Sequence, residues 1–596
     1  MTRLVLPHSR ADRKLLPAYL LLTLYFTAPL VITGNQLGVE DWDVMLLYHA
    51  SVIRSVYEYG RLPFWNPWYC GGNVLWQNPQ VALLSPTYLF SLVVSLPMAM
   101  KLNIVVHYLA GFMGMHVLLT RGLGLSYLPG VLFLSCLVTL AGGPVFHLAV
   151  GHGTFLPYFY LPWALFFYLR ALESGGLRYA VAVAGVIALA VLNGGIHIAF
   201  MAAVALVCFS LTSALTRRDL RPVAMLAFVG ALTFLLAAPK LLPVGAFVND
   251  PRMVDTRFSP PGADSMGRDM LIRAFLDPFQ YRRLRFEGQN YGWHEYGNYI
   301  GPLGGVSIVA AFVWILLRRP WRRELWLGAS LALTALLLLS LALGELGPAA
   351  PYMLLRRLPI VSEFRLPSRY SLVFVLFATA MVASVWRTMV AARAGEVGRF
   401  AAIVLILSSL ALAYWNRIQF EGVFPLAPLE SSFRLLSRPG EPVVDQASEG
   451  LAPGQSPMLR AMMENRAILR CYEPLQLPGG IDGARAAVFP DGGAQIADVE
   501  FAPGRIRFRG LSRDEGRVFL NARYVDGWRS DAGAFTIDPR TGLAYVTLPP
   551  GSAGRFSFWF VPPRLVAGLL LFAAGLALSL LIWRRTLMVQ SSDAVR

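Results

Sequence analysis

Apolar segments about 20 residues long recur along the chain, and they limit its possible folds more than any other feature. A bilayer core about 30 Å thick is crossed by roughly 20 residues of helix, so each segment predicts one membrane crossing. The sequence predicts twelve crossings, near residues 15–34, 99–120, 125–144, 154–170, 178–193, 197–215, 222–240, 299–317, 324–344, 368–387, 399–415 and 562–583. Of the 596 residues, 56% are hydrophobic and 15% are charged, which leaves too little polar surface for a water-soluble globule. We therefore expect a polytopic α-helical membrane protein.

The arginines between the apolar segments predict the orientation of the chain in the membrane. Connections expected on one side carry Arg121, Arg218, Arg319 and Arg585, whereas the short turn 143–153 on the other side has no Lys or Arg. Because cytoplasmic loops are enriched in Lys and Arg, we expect the N-terminus in the cytoplasm. This asymmetry explains the formal net charge of +17 better than nucleic-acid binding does, since the chain has no run of five basic residues.

The apolar stretch from Val81 to Met98 is an exception to the pattern of full crossings. It contains Pro86 and Pro97, which interrupt helices. A thirteenth crossing there would also invert every later loop and break the arginine asymmetry. We expect this stretch to enter the membrane only partly or to lie along its outer surface.

Three long segments are expected on the side opposite the N-terminus: a first outer loop at 35–98, a second outer loop at 241–298, and residues 417–561. In the third segment, polar and apolar residues alternate, as in Arg505–Arg509 and Arg555–Val561. Period-two alternation between Gly, Pro and Asp turns predicts strands. The expected division is a transmembrane domain over 1–416, an antiparallel β domain over 417–561, and a last transmembrane helix with a cytoplasmic tail over 562–596.

The first outer loop opens with three carboxylates, Glu40, Asp41 and Asp43. Carboxylates next to a membrane are costly unless they are solvated, paired or used in chemistry. The residues that follow are amphipathic, with His49 and Arg54 on the polar side, and they predict a helix lying in the membrane interface.

Several short motifs in this chain resemble those of the YfhO-like bacterial membrane proteins, which look like members of the GT-C superfamily of glycosyltransferases. The resemblance covers almost the whole chain, and the motifs follow the family's order. They are GRLPFWNP at 60–67, NPQ at 78–80, GH at 151–152, GGIH at 194–197, FRLPSRY at 364–370 and YVDGW at 524–528.

The resemblance implies a GT-C-like fold of about 12 transmembrane helices with a C-terminal extracytoplasmic β domain before the last helix. It also implies an inverting enzyme that moves a sugar from a polyprenyl-phosphate donor to a glycan, lipid, cell-envelope polymer or protein acceptor. The expected location is the bacterial cytoplasmic (inner) membrane, with the active site and the β domain outside. A carboxylate of the first outer loop serves the chemistry in GT-C enzymes, and Asp41 and Asp43 match that position.

Asp41 and Asp43 are therefore the candidate catalytic residues. Either can take the proton of the acceptor hydroxyl as a general base, and the pair could hold a divalent metal, Mg²⁺ or Mn²⁺, through its oxygens. The alternative is that one of them caps the following helix, a position that suits Asp43 better.

Arg365 and Arg369 are the candidate residues for binding the donor phosphate. They flank Pro367 just before an apolar segment on the outer side, and a guanidinium binds phosphate through two parallel hydrogen bonds. Pairing with lipid headgroups or with outer acidic residues is the alternative.

Other polar residues in the outer segments are candidates for contact with substrate. They are His294, Glu295 and Tyr296 at the end of the second outer loop, His152 and His197 beside glycines in outer turns, and Trp65, Asn66 and Asn78 in the first outer loop. Each has a structural alternative: a solvated loop end, a histidine with structural hydrogen bonds, or a residue that folds the first outer loop.

Two other functions stay open at this point: a transporter or flippase of lipid-linked saccharides, and a non-catalytic membrane protein of envelope assembly. The sequence has no zinc motif and no glycine-rich nucleotide fingerprint, which argues against a soluble nucleotide-sugar donor. Cys70 and Cys471 would both lie outside, but spacing alone cannot decide whether they pair.

Overall fold

The computed structural model shows a bundle of apolar helices joined to a C-terminal β domain. Described here are residues 14–38, 40–250, 265–280, 292–318, 326–345, 347–358, 364, 366–390, 396–421, 440, 443–445, 457–469, 471, 475–483 and 485–595.

The helices of the bundle follow the apolar segments. Each predicted crossing overlaps a helix among the described residues, and residues 154–170 combine a 3-10 helix, Gly153–Tyr160, with the α-helix that follows it. Within the described ranges, ten helical stretches are long and apolar enough to cross a membrane. The predicted crossings at 154–170 and 178–193 are not among the ten, because their α-helices have only 14 and 16 residues. In chain order the α-helices are α1 (Leu15–Ile32), α2 (Trp42–Tyr57), α3 (Pro86–Phe90), α4 (Leu96–Val117), α5 (Leu128–Thr139), α6 (Gly142–Ala149), α7 (Leu161–Ser174), α8 (Leu177–Leu192), α9 (Ile196–Arg217), α10 (Arg221–Val248), α11 (Arg268–Leu276), α12 (Trp293–Tyr296), α13 (Gly301–Leu317), α14 (Trp326–Leu343), α15 (Pro351–Arg356), α16 (Tyr370–Val390), α17 (Glu396–Arg417), α18 (Pro457–Met463) and α19 (Leu565–Val595).

The stretch from Val81 to Met98 contains only one complete helix, the five-residue α3, before α4 begins at Leu96. A bilayer core requires roughly 20 helical residues, so α3 is far too short to cross. The prediction that this stretch does not make a full crossing is confirmed.

Helix α2 forms where the carboxylate-rich segment predicts a helix, but it does not have the predicted exposed polar side. His49 and Arg54 are 9% and 2% exposed, whereas Val56 is 41% exposed. The reason is tertiary: Arg54 Nη1 donates to the carbonyl of Met462 in α18 at 2.6 Å, and the ring of His49 lies 5.5 Å from that of Tyr88 in α3. Burial also lowers the pKa of His49, which favours a neutral ring at pH 7.

The β domain is built on one antiparallel sheet. From one edge to the other, its strands are Trp528–Ser530, Ala553–Phe560, Arg505–Leu520, Ala544–Leu548 and Thr536–Ile537, and Val488–Ala502 also pairs with Arg505–Leu520. Ile506 and Phe508 are buried while Arg507 and Arg509 are exposed, so the alternation in the sequence marks the two faces of the sheet. The strands of this sheet are β5 (Val488–Ala502), β6 (Arg505–Leu520), β7 (Trp528–Ser530), β8 (Thr536–Ile537), β9 (Ala544–Leu548) and β10 (Ala553–Phe560), and the smaller pairs are β1 (Trp65–Asn66) with β2 (Asn73–Val74) and β3 (Val443–Asp445) with β4 (Arg466–Ile468).

Two fully buried lysines hold the first outer loop onto the bundle. Lys101 Nζ donates to Thr33 Oγ1 and to the carbonyls of Gly34 and Gln36, at 2.9–3.1 Å. Lys240 Nζ donates to three backbone carbonyls of the loop, at 2.7–3.0 Å. Each ammonium thus uses its three N–H donors on the segment that it fixes.

The first outer loop is also bound to the β domain. Cys70 and Cys471 form a disulfide, which answers the question that spacing left open. Next to it, the amide of Gly71 donates to the carbonyl of Ile468 at 3.3 Å, and Arg523 Nη2 donates to Asn73 Oδ1 at 2.7 Å. The loop and the β domain therefore form one packed unit, although they are about 400 residues apart in sequence.

Candidate active site

Polar residues from four separate parts of the chain meet at one end of the bundle. Asp41 Oδ2 lies 3.0 Å from His152 Nε2. On the other side of the group, His147 lies next to Glu295, and Arg369 donates to Glu295. We call these five residues, Asp41, His147, His152, Glu295 and Arg369, the outer cluster. Four of the five are residues that the sequence singles out as candidates.

A close backbone contact positions Asp41. Its amide donates to the carbonyl of Val150 at 2.9 Å, and Trp42 Nε1 donates to the carbonyl of Ala149 at 3.1 Å. Gly151 permits this approach: its φ is +94°, and an added Cβ would lie 2.2 Å from the amide nitrogen of Trp42. The turn at Gly151, which carries His152, therefore packs directly against the backbone of Asp41 and Trp42.

Two histidines connect Asp41 to Glu295. The Nδ1 atoms of His147 and His152 are 2.9 Å apart, so one ring donates to the other. The opposite side of the His147 ring faces the carboxylate, with Nε2 at 3.9 Å from Glu295 Oε2. The result is a continuous row of polar groups from Asp41 to Glu295.

Arg369 holds Glu295 in a bidentate pair. Its Nε donates to Oε2 at 2.8 Å and its Nη2 donates to Oε1 at 2.6 Å. Such paired hydrogen bonds are among the strongest in proteins and fix both side chains. Arg369, predicted to bind the donor phosphate, therefore has an internal carboxylate partner, as in the acidic alternative raised above.

Backbone contacts between α6 and the segment after α12 place the Glu295 half of the cluster. The amide of Gly142 donates to the carbonyl of Tyr299 at 3.0 Å, and the amide of Gly143 donates to Asn298 Oδ1 at 3.0 Å. Since His147 lies on α6 and Glu295 on α12, these bonds set the distance between the two side chains.

An aromatic ring supports the cluster from one side. Phe155 stacks on His147 with ring centroids 3.6 Å apart, and the guanidinium of Arg369 lies 5.1 Å from the centre of the same ring. His197 lies farther along, 6.5 Å from Phe155. His294 approaches from the other side, 5.6 Å from the ring of His152.

Exposure rises from one end of the cluster to the other. The side chains of His147 and Glu295 are 2% and 3% exposed, while His152 is 14% and Asp41 is 21% exposed. Asp41 is thus the carboxylate of the cluster that a substrate in solution can reach most easily.

Asp43 serves a different purpose. Its two carboxylate oxygens accept from the backbone amides of Met458 and Leu459, each at 3.0 Å, at the start of α18. This is the arrangement by which an acidic side chain stabilises a helix N-terminus. The predicted cap of α2 is therefore wrong: Asp41 stands at its N-cap position without a capping hydrogen bond, and Asp43 binds the N-terminus of α18 instead.

The described residues include a second set of candidate metal ligands besides the predicted Asp41–Asp43 pair. Among the described residues, His147, His152 and Glu295 offer ligand atoms that all lie within 4.8 Å of one another. Two imidazoles and one carboxylate suit Zn²⁺ better than Mg²⁺.

A small, mostly apolar cavity of about 20 Å³ lies beside the chain neighbours of the Asp41–His152 pair, with Trp42 and Gly151 in its wall. Three buried atoms of its lining have no hydrogen-bond partner within the described protein: Gln80 Oε1, Thr87 Oγ1 and Asn103 Oδ1. This volume and these groups suit one ordered water.

The remaining predicted site residues lie outside the cluster or outside the described residues. Tyr296 is buried among apolar residues that include Trp293. Trp65 packs on Trp528 with ring centroids 5.1 Å apart. Asn66 Oδ1 and Asn78 Oδ1 accept from the amides of Trp68 and Gln80, which is the folding role raised as their alternative. Arg365 lies outside the described residues.

His147 and Phe155 are the residues that sequence reasoning missed. Both belong to the same outer turn region as His152, five residues before it and three after it. The available signal was the presence of two histidines on either side of Gly151, because a tight turn brings its two arms together.

Comparison with known proteins adds little to this geometry. No protein-family model matches the chain, and no curated protein sequence matches it. A cryo-EM structure of the arabinofuranosyltransferase AftD from Mycobacteria is similar at 15% identity and a TM-score of 0.42, covering 69% of this chain and 27% of AftD. A mutant of AftD is similar at 15% identity and a TM-score of 0.38, covering 67% and 27%. This chain thus spans about a quarter of the length of AftD, and a likeness at this level identifies neither its family nor its activity.

Proposed function

We propose that this protein is a GT-C-type glycosyltransferase that takes a sugar from a polyprenyl-phosphate carrier and transfers it to an extracytoplasmic acceptor. The observation that carries the proposal is the 3.0 Å contact between Asp41 and His152 at the exposed end of the outer cluster. The motifs shared with YfhO-like proteins support the same reaction class, and four of the cluster residues come from segments expected outside the membrane.

Asp41 is the proposed general base. Asp43 accepts hydrogen bonds from the backbone amides at the N-terminus of α18, and Glu295 is buried and paired with Arg369. In an inverting transfer, the acceptor oxygen bonds to the anomeric carbon while the bond from that carbon to the phosphate oxygen breaks. The phosphate leaves with the electron pair, and the acceptor proton passes to Asp41.

The other cluster residues orient that base. The His152–His147 pair links Asp41 to the fixed Glu295–Arg369 pair, so the base is held by a rigid row of side chains. Arg369 is fixed by Glu295 through Nε and Nη2, and its side chain remains 18% exposed, so a donor phosphate would meet a guanidinium that is already held in position. We propose Arg365 and His294 as its partners in holding the phosphate.

Binding of a divalent metal at the outer cluster is a further proposal. His147, His152 and Glu295 are the described residues that would hold it. The bidentate Arg369 opposes this, because a metal and a guanidinium would compete for the same carboxylate. Removal of metal with EDTA, followed by addition of Zn²⁺, Mn²⁺ or Mg²⁺, tests the proposal by loss and recovery of transfer.

The transporter alternative has less support. It predicts charged groups that serve substrate near the bilayer midplane, but the two lysines of the apolar segments, Lys101 and Lys240, bind loop atoms instead.

The decisive experiment compares Asp41→Asn with Asp43→Asn, two identical chemical changes two residues apart. The full chain, purified in detergent, is assayed for transfer from polyprenyl-phosphate-linked sugars. We expect Asp41→Asn to lower kcat by about 10²- to 10⁴-fold with an unchanged Tm, because the base is lost and no packing changes. Asp43→Asn should keep kcat and lower Tm, because a helix-capping carboxylate is lost at a cost of about 1 kcal/mol.

Full transfer activity in Asp41→Asn would refute the assignment of the base. If the wild type moves lipid-linked sugars across a vesicle membrane but transfers none of them, the transporter hypothesis replaces the proposed function.

A further inference from the structure

Arginines form a stripe along one exposed face of the β domain. Arg505, Arg507 and Arg509 alternate along β6 with buried residues, so they share one face of the sheet. Arg555 on β10 lies directly opposite Arg509. The stripe is about 13 Å long between Arg505 and Arg509, at roughly 3.3 Å per residue.

Two further arginines join the membrane-proximal end of the stripe. Arg529 on β7 is opposite Trp559, and Trp559 is opposite Arg505. Arg61 comes from the first outer loop: the positive charges of Arg505 and Arg507 add to burial in lowering its pKa. We call Arg61, Arg505, Arg507, Arg509, Arg529 and Arg555 the arginine face.

This concentration of like charge costs stability. Directly opposed like charges destabilise a sheet, and the Arg509–Arg555 pair is such a case. Acidic neighbours offset it only in part. Arg507 and Arg509 reach Glu500 at 3.6 Å and Asp498 at 3.0 Å, and all four side chains are at least half exposed, where ion pairs contribute little.

The other carboxylate at this face is Asp531, which accepts from the amide of Ser557 at 2.7 Å. The six residues of the arginine face therefore outnumber the three carboxylates described next to them, Glu500, Asp498 and Asp531. A cavity of about 560 Å³ at the far end of the stripe is lined by residues of β5, β6 and β10 that include Arg509 and Arg555.

We propose that the arginine face binds an anionic polysaccharide of the cell envelope. Guanidinium groups bind phosphate and carboxylate through paired hydrogen bonds. The half-buried Trp559, between Arg505 and Arg529, offers an apolar ring for the C–H face of a sugar. A linear polyanion matches the stripe, and the cavity lined by Arg509 and Arg555 receives its anionic groups at the far end.

The test measures binding of the full chain in neutral detergent to two labelled probes, poly(glycerol phosphate) and polygalacturonate. Dextran of equal length is the neutral control. We expect at least one anionic probe to bind, with binding that weakens as salt rises from about 50 to 200 mM, and dextran not to bind. The probe that binds tells phosphate from carboxylate as the recognised group.

The test variant is Arg509→Gln with Arg555→Gln, and the matched control is Arg485→Gln with Arg540→Gln, which removes the same charge outside the stripe. The test variant should bind the anionic probe about 10-fold more weakly, while its Tm is unchanged or higher because the opposed charges are gone. The control variant should bind like the wild type.

Four results would overturn the proposal: no binding of either anionic probe, equal binding of dextran, equal weakening in both variants, or weaker binding that follows a lower Tm. If polysaccharides fail while vesicles with phosphatidylglycerol bind in an Arg509- and Arg555-dependent way, the face contacts a membrane surface instead. These assays need no transfer activity, so they stand or fall independently of the proposed reaction.

Discussion

Replacing Lys240 tests how the first outer loop is held in place. Its ammonium is fully buried and donates to the carbonyls of Trp76, Asn78 and Val81 at 2.8, 2.7 and 3.0 Å. Three N–H groups that converge on three oxygens require a tetrahedral donor, which a planar guanidinium cannot imitate. The chain has only three lysines and uses arginine at its other Lys or Arg positions. The tetrahedral arrangement of the ammonium N–H groups is a physical reason for a lysine at position 240.

The expected magnitude follows from opposing contributions. Each hydrogen bond from a charged donor contributes about 1.5–3 kcal/mol, and Lys240→Met removes three of them. The change also removes a buried charge, whose desolvation costs several kcal/mol. A net loss of about 2–4 kcal/mol is expected for the local stability of the loop. Lys240→Arg should be no better, because it adds overpacking of about 1–3 kcal/mol.

Hydrogen exchange of the loop amides measures this loss directly. The amides of Gln80 and Val81 are bonded within the loop, and a loss of 2–4 kcal/mol speeds their exchange by about 30- to 700-fold if they open locally. Lys14→Met is the matched control, because Lys14 is exposed and should leave exchange unchanged. Wild-type exchange in Lys240→Met, or recovery in Lys240→Arg, would refute the reasoning.

Two further predictions test the connection between the loop, the β domain and the outer cluster. Replacing both Cys70 and Cys471 by Ser should lower the Tm measured by scanning fluorimetry, because the disulfide closes a loop of about 400 residues and such bridges contribute roughly 2–5 kcal/mol. Replacement of Cys208, which forms no disulfide, is the control, and equal Tm values for wild type and double variant would show that the other contacts suffice. Gly151→Ala should reduce transfer strongly, because the added Cβ would collide with the Trp42 amide and shift Asp41 from His152. The control Gly153→Ala adds a Cβ that meets no atom within 4 Å and should keep activity, and normal transfer in Gly151→Ala would contradict the positioning argument.

The helices and the β domain are largely determined by the sequence itself, because each depends on a local pattern. Apolar runs of about 20 residues predict crossings, and the period-two alternation around Arg507 predicts a strand with one exposed face. The stretch from Val81 to Met98 was correctly predicted not to cross because its prolines and the arginine asymmetry agree. Asp41, His152, Glu295 and Arg369 were each identified as candidates by their residue type and place in a loop.

Only the tertiary structure decides which of these residues meet. The contact between Asp41 and His152, the addition of His147, and the pairing of Arg369 with Glu295 all depend on how helices pack. No local pattern encodes such distances, since residues from 41 to 369 converge on one point. The proposal of Asp41 rather than Asp43 as the base rests on the contact of Asp43 with α18, more than 400 residues away. The polar residues of α2 are likewise buried by tertiary contacts, Arg54 by the carbonyl of Met462 in α18 and His49 by Tyr88 in α3, because a polar side chain can be satisfied by protein groups as well as by water.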